Sequence, residues 1–114
     1  MPNTFTNAGQ VCGISLTTLY TAPSSNLAGL VPASIIIMLQ AANVTSRADV
    51  ITMVWTDASN SNAVTRLAFQ VPIPAGQSVG LLTGKMVMNP GDTLRAQCGI
   101  FQAIEIVASI VEIG

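Results

Sequence analysis

The sequence predicts an all-β fold: an antiparallel β-sandwich of jelly-roll type with seven to eight short strands. Three observations predict it. Clusters of Pro, Gly, Asn, Asp and Ser recur at even spacing, the runs between them alternate with period two, and no run has the apolar spacing of an amphipathic helix. The breakers lie at 22–26, 43–46, 57–62, 72–76 and 89–92. Each supplies turn chemistry: Gly for positive φ, Pro for a fixed φ, Asn and Asp for local backbone hydrogen bonds.

The elements follow in chain order. Residues 11–20 alternate in part, with Ile14, Leu16 and Thr18 on one parity. Residues 27–32 read as loop, with a short helix as the alternative, because Gly29 and Pro32 interrupt the apolar run. Residues 33–41 are continuously apolar, as in a strand covered on both faces. Residues 49–56 place Ile51, Met53 and Trp55 on one parity. The polar stretch 57–62 should be the exposed tip of a hairpin leading into 63–71, where Thr65, Leu67, Phe69 and Val71 share one face and Arg66, Ala68 and Gln70 the other. Two short runs, 77–82 and 85–88, flank Gly84. Residues 93–99 set Leu94, Ala96 and Cys98 against Arg95 and Gln97. The last run, 103–113, is apolar on both parities, which implies cover on both sides. Residues 1–10 are polar and uncharged and read as an N-terminal arm or disordered tail, which leaves 11–114 as a single sandwich domain.

Composition bounds the function. Charged residues make up 8% of the 114 and hydrophobic ones 50%, and histidine is absent. An ordinary domain carries roughly 25% charged residues. A small domain has much surface for its volume, so that surface must here be clothed in neutral polar or apolar side chains. Contiguous apolar surface marks contact with another protein. The chain therefore reads as part of an assembly. A net charge of −1 with four scattered cations provides no basic patch, so no nucleic-acid partner is expected. The longest apolar run, 35–39, is too short to span a bilayer, so no membrane partner is expected, and Met1-Pro2-Asn3-Thr4 does not look like a signal peptide.

Catalytic constellations are not found. Without histidine there is no Ser-His-Asp or Cys-His pair and no imidazole metal ligand. Of the five carboxylates, Asp57 and Asp92 sit in turn sequences, where aspartate serves the backbone. A calcium site at Asp57 with Asn60 and Asn62 would have only one carboxylate. Gly76, Gly80 and Gly84 lack the Lys-Ser/Thr ending and helix of a phosphate loop. Cys12 and Cys98 read as small buried hydrophobes, with a bridge between the first and a late strand as the alternative. No enzyme activity, cofactor or metal is expected. Trp55 reads as a core or rim aromatic, with an interface anchor as the alternative.

The order of turns and strands resembles the small all-β virion proteins of tailed bacteriophages. The resemblance rests on Thr21-Ala22-Pro23, Ala42-Asn43-Val44, Val54-Trp55-Thr56-Asp57, Val71-Pro72-Ile73-Pro74-Ala75-Gly76, Leu81-Leu82-Thr83-Gly84, the segment from Pro90 to Gln97, and the closing Val107 to Ile113, and covers about residues 18–113. It implies a structural role in the virion: a capsid decoration (cement) protein that binds the major capsid protein on the outer shell, with a neck, tail or fibre component, or a receptor-binding version of one that touches a sugar, as the alternative. It implies a homodimer or homotrimer at the capsid surface, made in the host cytoplasm. The expected interaction residues are Met1, Pro2, Asn3, Thr4 and Phe5 in the arm, and Trp55, Asn60 and Asn62 at the hairpin.

Overall fold

A computed structural model describes residues 4–23, 33–100 and 102–113. Nine strands lie among them: β1 (Thr4–Val11), β2 (Thr17–Thr21), β3 (Ala33–Asn43), β4 (Asp49–Asp57), β5 (Ala63–Ile73), β6 (Ser78–Gly80), β7 (Met86–Met88), β8 (Thr93–Cys98) and β9 (Ile104–Ile113). They form two antiparallel sheets. Sheet A has the order β1-β9-β3-β6, with β7 also paired to β3; sheet B has the order β2-β8-β4-β5. Successive strands change sheet except at the β4–β5 hairpin and between β6 and β7. That alternation is the jelly-roll topology.

The core follows from strand parity. On β9, Ile104, Ile106, Ala108 and Ile110 point inward; Ile36, Leu39 and Ala41 do so on β3; Ile51 and Met53 on β4 and Leu94, Ala96 and Cys98 on β8 meet them from sheet B. Two side-chain bonds tie the sheets along one flank. The Tyr20 hydroxyl on β2 donates to Glu112 Oε2 on β9 at 2.6 Å and lies 2.9 Å from Ser34 Oγ on β3. Burial, then the bond to Glu112, pushes the Tyr20 phenol up to about 12. Further along, Gln10 Nε2 on β1 donates to the Thr18 carbonyl on β2 at 2.8 Å.

Three sequence expectations need correction. Residues 4–10 belong to the sandwich: they form most of β1, paired residue by residue with β9, so the domain does not begin at residue 11. The expected run 11–20 is two strands and a loop. Its apolar parity, Ile14 and Leu16, lies at the surface between β1 and β2. In β5 the register shifts twice, and Gln70 adopts φ 49°. Each extra residue reverses which side chain faces the core, so Ala68 points inward and Phe69, 58% exposed, points out. The alternative helix at 27–32 lies outside the described residues. The hairpin tip stands as expected: Ala58–Asn60 form one turn of 3-10 helix, and 59–62 are exposed.

Candidate interaction surface

The outer face of sheet A is built by the odd residues of β1 and β9 and their partners on β3. The register places Phe5 beside Val111, Val111 beside Ile35, and Ile35 beside Val87. An apolar row thus crosses the whole sheet from edge to edge. Its ends are open: Phe5 is 77% exposed and Val87 60%. β3 carries a bulge between Ile36 and Met38, which leaves Ile37 exposed beside the row. The face carries one charged side chain among its described strand positions, the exposed Glu105 on β9. It also holds a groove of about 480 Å³ over Gly9, lined by Val11, Gln40, Ala42, Glu105 and Val107. A Cβ at Gly9 would meet nothing closer than 3.8 Å, so the groove is open surface and not a steric requirement.

The outer face of sheet B has opposite charge. Val54 pairs with Arg66 on one side and Arg95 on the other. Both arginine stems flank it, and Val54 is only 2% exposed although it faces outward. The Arg66 guanidinium lies 4.9 Å from the centre of the Phe69 ring.

The expected interaction residues fall in different places. Met1, Pro2 and Asn3 lie outside the described residues. Thr4 and Phe5 begin β1, and Phe5 opens the apolar row. Trp55 shares the inward parity of Ile51 and Met53 and packs against the core; its Nε1–H donates to Asp92 Oδ2 at 3.0 Å. Asn60 and Asn62 are exposed at the hairpin tip on sheet B, and Asn62 has φ 60°. Phe5 and the two asparagines therefore do not share a surface. The residues that sequence reasoning missed are Ile35, Val87 and Val111. For Ile35 and Val111 the signal was present: both parities of 33–41 and 103–113 are apolar, and one parity must face outward; Val87 joins them only through its pairing with β3.

The three aspartates serve the backbone. Asp92 is fully buried and accepts from Trp55 Nε1, the Ala58 amide at 3.0 Å and the Asn89 amide at 3.0 Å. Asp49 accepts from the amides of Val50, Gly99 and Ile100 at 2.7, 3.0 and 3.0 Å. Asp57 caps its turn through Ser59. Cys12 and Cys98 are both buried free thiols, and burial raises both above the usual thiol range. Among the described residues no group of three His, Cys, Asp or Glu side chains is placed to hold a metal.

No protein-family model matches the chain, and no curated protein matches it in sequence. Solved structures share its fold. A chain from the structure of infectious bursal disease virus Gx strain superposes with a TM-score of 0.57 at 10% identity, over 98% of this chain and 30% of that one. This chain thus spans less than a third of that relative's length. A chain from the Bacillus endospore appendages, described as disulfide-linked pili, gives 0.51 at 10% identity over 98% and 86% of the two chains. A chain of the virus-like particle of giant freshwater prawn Macrobrachium rosenbergii extra small virus gives 0.50 at 12% identity over 97% and 77%. At these identities the likeness is one of fold.

Proposed function

We propose that this protein is a structural subunit of a virus particle, a capsid decoration protein of a tailed bacteriophage that binds the major capsid protein on the outer shell and is held there through the outer face of sheet A. One observation carries this: an apolar row crosses that whole face, on a chain with 8% charged residues, and its two ends are open to solvent. Such a face is stable in water only at a cost, which a neighbour's surface removes. A lattice offers many equivalent sites, so modest affinity per copy suffices. Two of the structures that share the fold come from virus particles, which supports the virion setting.

Cryo-electron microscopy of intact particles, with quantitative mass spectrometry for copy number, tests this reading. Density for a two-sheet sandwich repeated over the icosahedral lattice is expected, with sheet A against the shell. Density restricted to one vertex would move the protein to the neck or tail. Absence from purified particles would overturn the virion role.

A further inference from the structure

A sandwich of two open sheets has four edges, and each exposes backbone N–H and C=O groups that can recruit a further strand. Three of the four are blunted. The β2 edge is five residues long and its register shifts between Thr18 and Tyr20. The β5 edge has two register shifts, Gln70 at φ 49° and Pro72, which has no N–H to offer. The fourth strand position of sheet A is shared by two three-residue pieces, β6 and β7, which pair with separate parts of β3. The β1 edge differs from all of these. Its eight residues, Thr-Phe-Thr-Asn-Ala-Gly-Gln-Val, pair with β9 without a register shift and contain no charge and no proline.

We infer that β1 is a self-association edge, along which two copies of this chain pair antiparallel about a twofold axis to make one continuous sheet A. A second copy is the favoured occupant because an unblunted edge is needed on both sides, and among the described strands the only such edge on a neighbour is its own β1. Neither edge brings charge, so no like-charge repulsion opposes the pairing. Period-two parity then restricts the register. Residues opposite one another in an antiparallel pair point to the same face, and odd residues of β1 point outward. A twofold axis at Ala8 satisfies this and sets Phe5 opposite the partner copy's residue 11, and Asn7 opposite its residue 9. The two exposed apolar side chains of β1, Phe5 and Val11, therefore cover each other across the junction. Gly9 of the other copy, at the mouth of its groove, adds no side chain of its own to crowd this contact. The interface is isologous, so it closes at two copies.

This inference deepens the proposed function and names one partner of that subunit, yet it is tested in solution without any particle. Sedimentation equilibrium of the purified full chain should give twice the 11.8 kDa chain mass. Phe5→Lys places a charge on the edge at an exposed position and should weaken the dimer by about tenfold or more, with the circular dichroism spectrum unchanged. A chain with both Phe5→Cys and Val11→Cys should form a covalent dimer on mild oxidation, whereas a Val64→Cys chain, altered on sheet B, should not; Cys12 and Cys98 are buried in both. A wild-type chain that stays monomeric up to about 1 mM, a dimer indifferent to Phe5→Lys that fails to cross-link, or open-ended oligomers would each overturn the inference. The particle experiment stands apart: a protein found on every capsomer but monomeric and uncross-linked would refute β1 pairing and keep the virion role, and the reverse result would do the opposite.

Discussion

Sheet A and sheet B close on one core but meet their surroundings differently. Sheet A presents a regular edge strand and an outer face crossed by an apolar row, with a single carboxylate, Glu105, at the other end of that face. Sheet B presents Arg66 and Arg95 over Val54, and both of its edge strands carry register shifts. Bulges twist and interrupt a strand edge, and charges make it costly to cover. Sheet B therefore carries its own protection against strand addition at both edges, while sheet A lacks it at its β1 edge. The same core and the same topology support both, so the difference lies in the outward parity and in the edges. One outer face is guarded by charge and bulged edges, and the other carries an apolar row and a regular edge strand.

The largest effect that would break this comparison is expected at Asp92. Its carboxylate satisfies three donors, the Trp55 indole on β4 and the amides of Ala58 and Asn89 in the flanking turns, and Asp92→Ala leaves all three without a partner inside the protein. A loss of about 3–5 kcal/mol in chemical denaturation is expected, together with a change in the fluorescence of Trp55, the single tryptophan. Sheet A's β1 edge should be untouched, so any residual folded protein should still self-associate.

Ile110→Ala comes next. Ile110 is buried in the core on β9, beside Thr6 of β1 and Ile36 of β3. A cavity there should lower stability by about 2–4 kcal/mol, read as a shift in denaturation midpoint at unchanged slope. An unchanged midpoint would mean that the inner face of sheet A is not the packed core described.

The link between the sheets can be read by pH. Tyr20 is neutral in its bond to Glu112, and its ionisation is raised from the ordinary value near 10 to about 12. The raised group stabilises the fold fully below the unfolded value, and that contribution is lost as pH climbs through the folded one. Stability should therefore fall between about pH 10 and pH 12, and Tyr20→Phe should flatten the profile in that window. Tyr20 is the only tyrosine, so tyrosinate absorbance follows it directly. Ionisation at the ordinary value would show that the hydroxyl is not held between the sheets. At neutral pH Tyr20→Phe should cost about 1 kcal/mol.

The smallest effect on stability, with the largest on assembly, is expected at Val87. It is exposed at the far end of the apolar row from Phe5. Val87→Asp should change the fold by at most about 0.5 kcal/mol and should abolish retention on particles in a sedimentation assay. The matching change on sheet B, Arg66→Ser, should leave retention intact. Equal losses from both would erase the distinction between the two faces.

Much of the fold was legible along the chain because turn chemistry and period-two alternation are local. The boundaries of β3, β4, β8 and β9 and the exposed hairpin at 57–62 follow from residues next to one another, as do the inward sets Ile51–Met53 and Leu94–Ala96–Cys98. The roles of Asp57 and Asp92 in turns are of the same kind. β5 shows where local reading stops. Its bulges are set by the register against β4, so the inward turn of Ala68 and the outward turn of Phe69 depend on a neighbour that the segment cannot specify alone. Residues 4–10 show it again: a polar, uncharged stretch has no strong preference by itself, and its place in sheet A depends on the ladder that β9 offers.

Local turn chemistry and composition specify an all-β chain that is poor in charge and without histidine. Tertiary packing selects which apolar surface stays open. Both parities of β3 and β9 are apolar, so hydrophobicity cannot tell inside from outside; the sandwich makes that choice by covering one parity with sheet B and leaving Phe5, Val111, Ile35 and Val87 aligned on the other. Which edge stays open is decided the same way, because an edge exists only once strands distant in sequence have taken their order in the sheet.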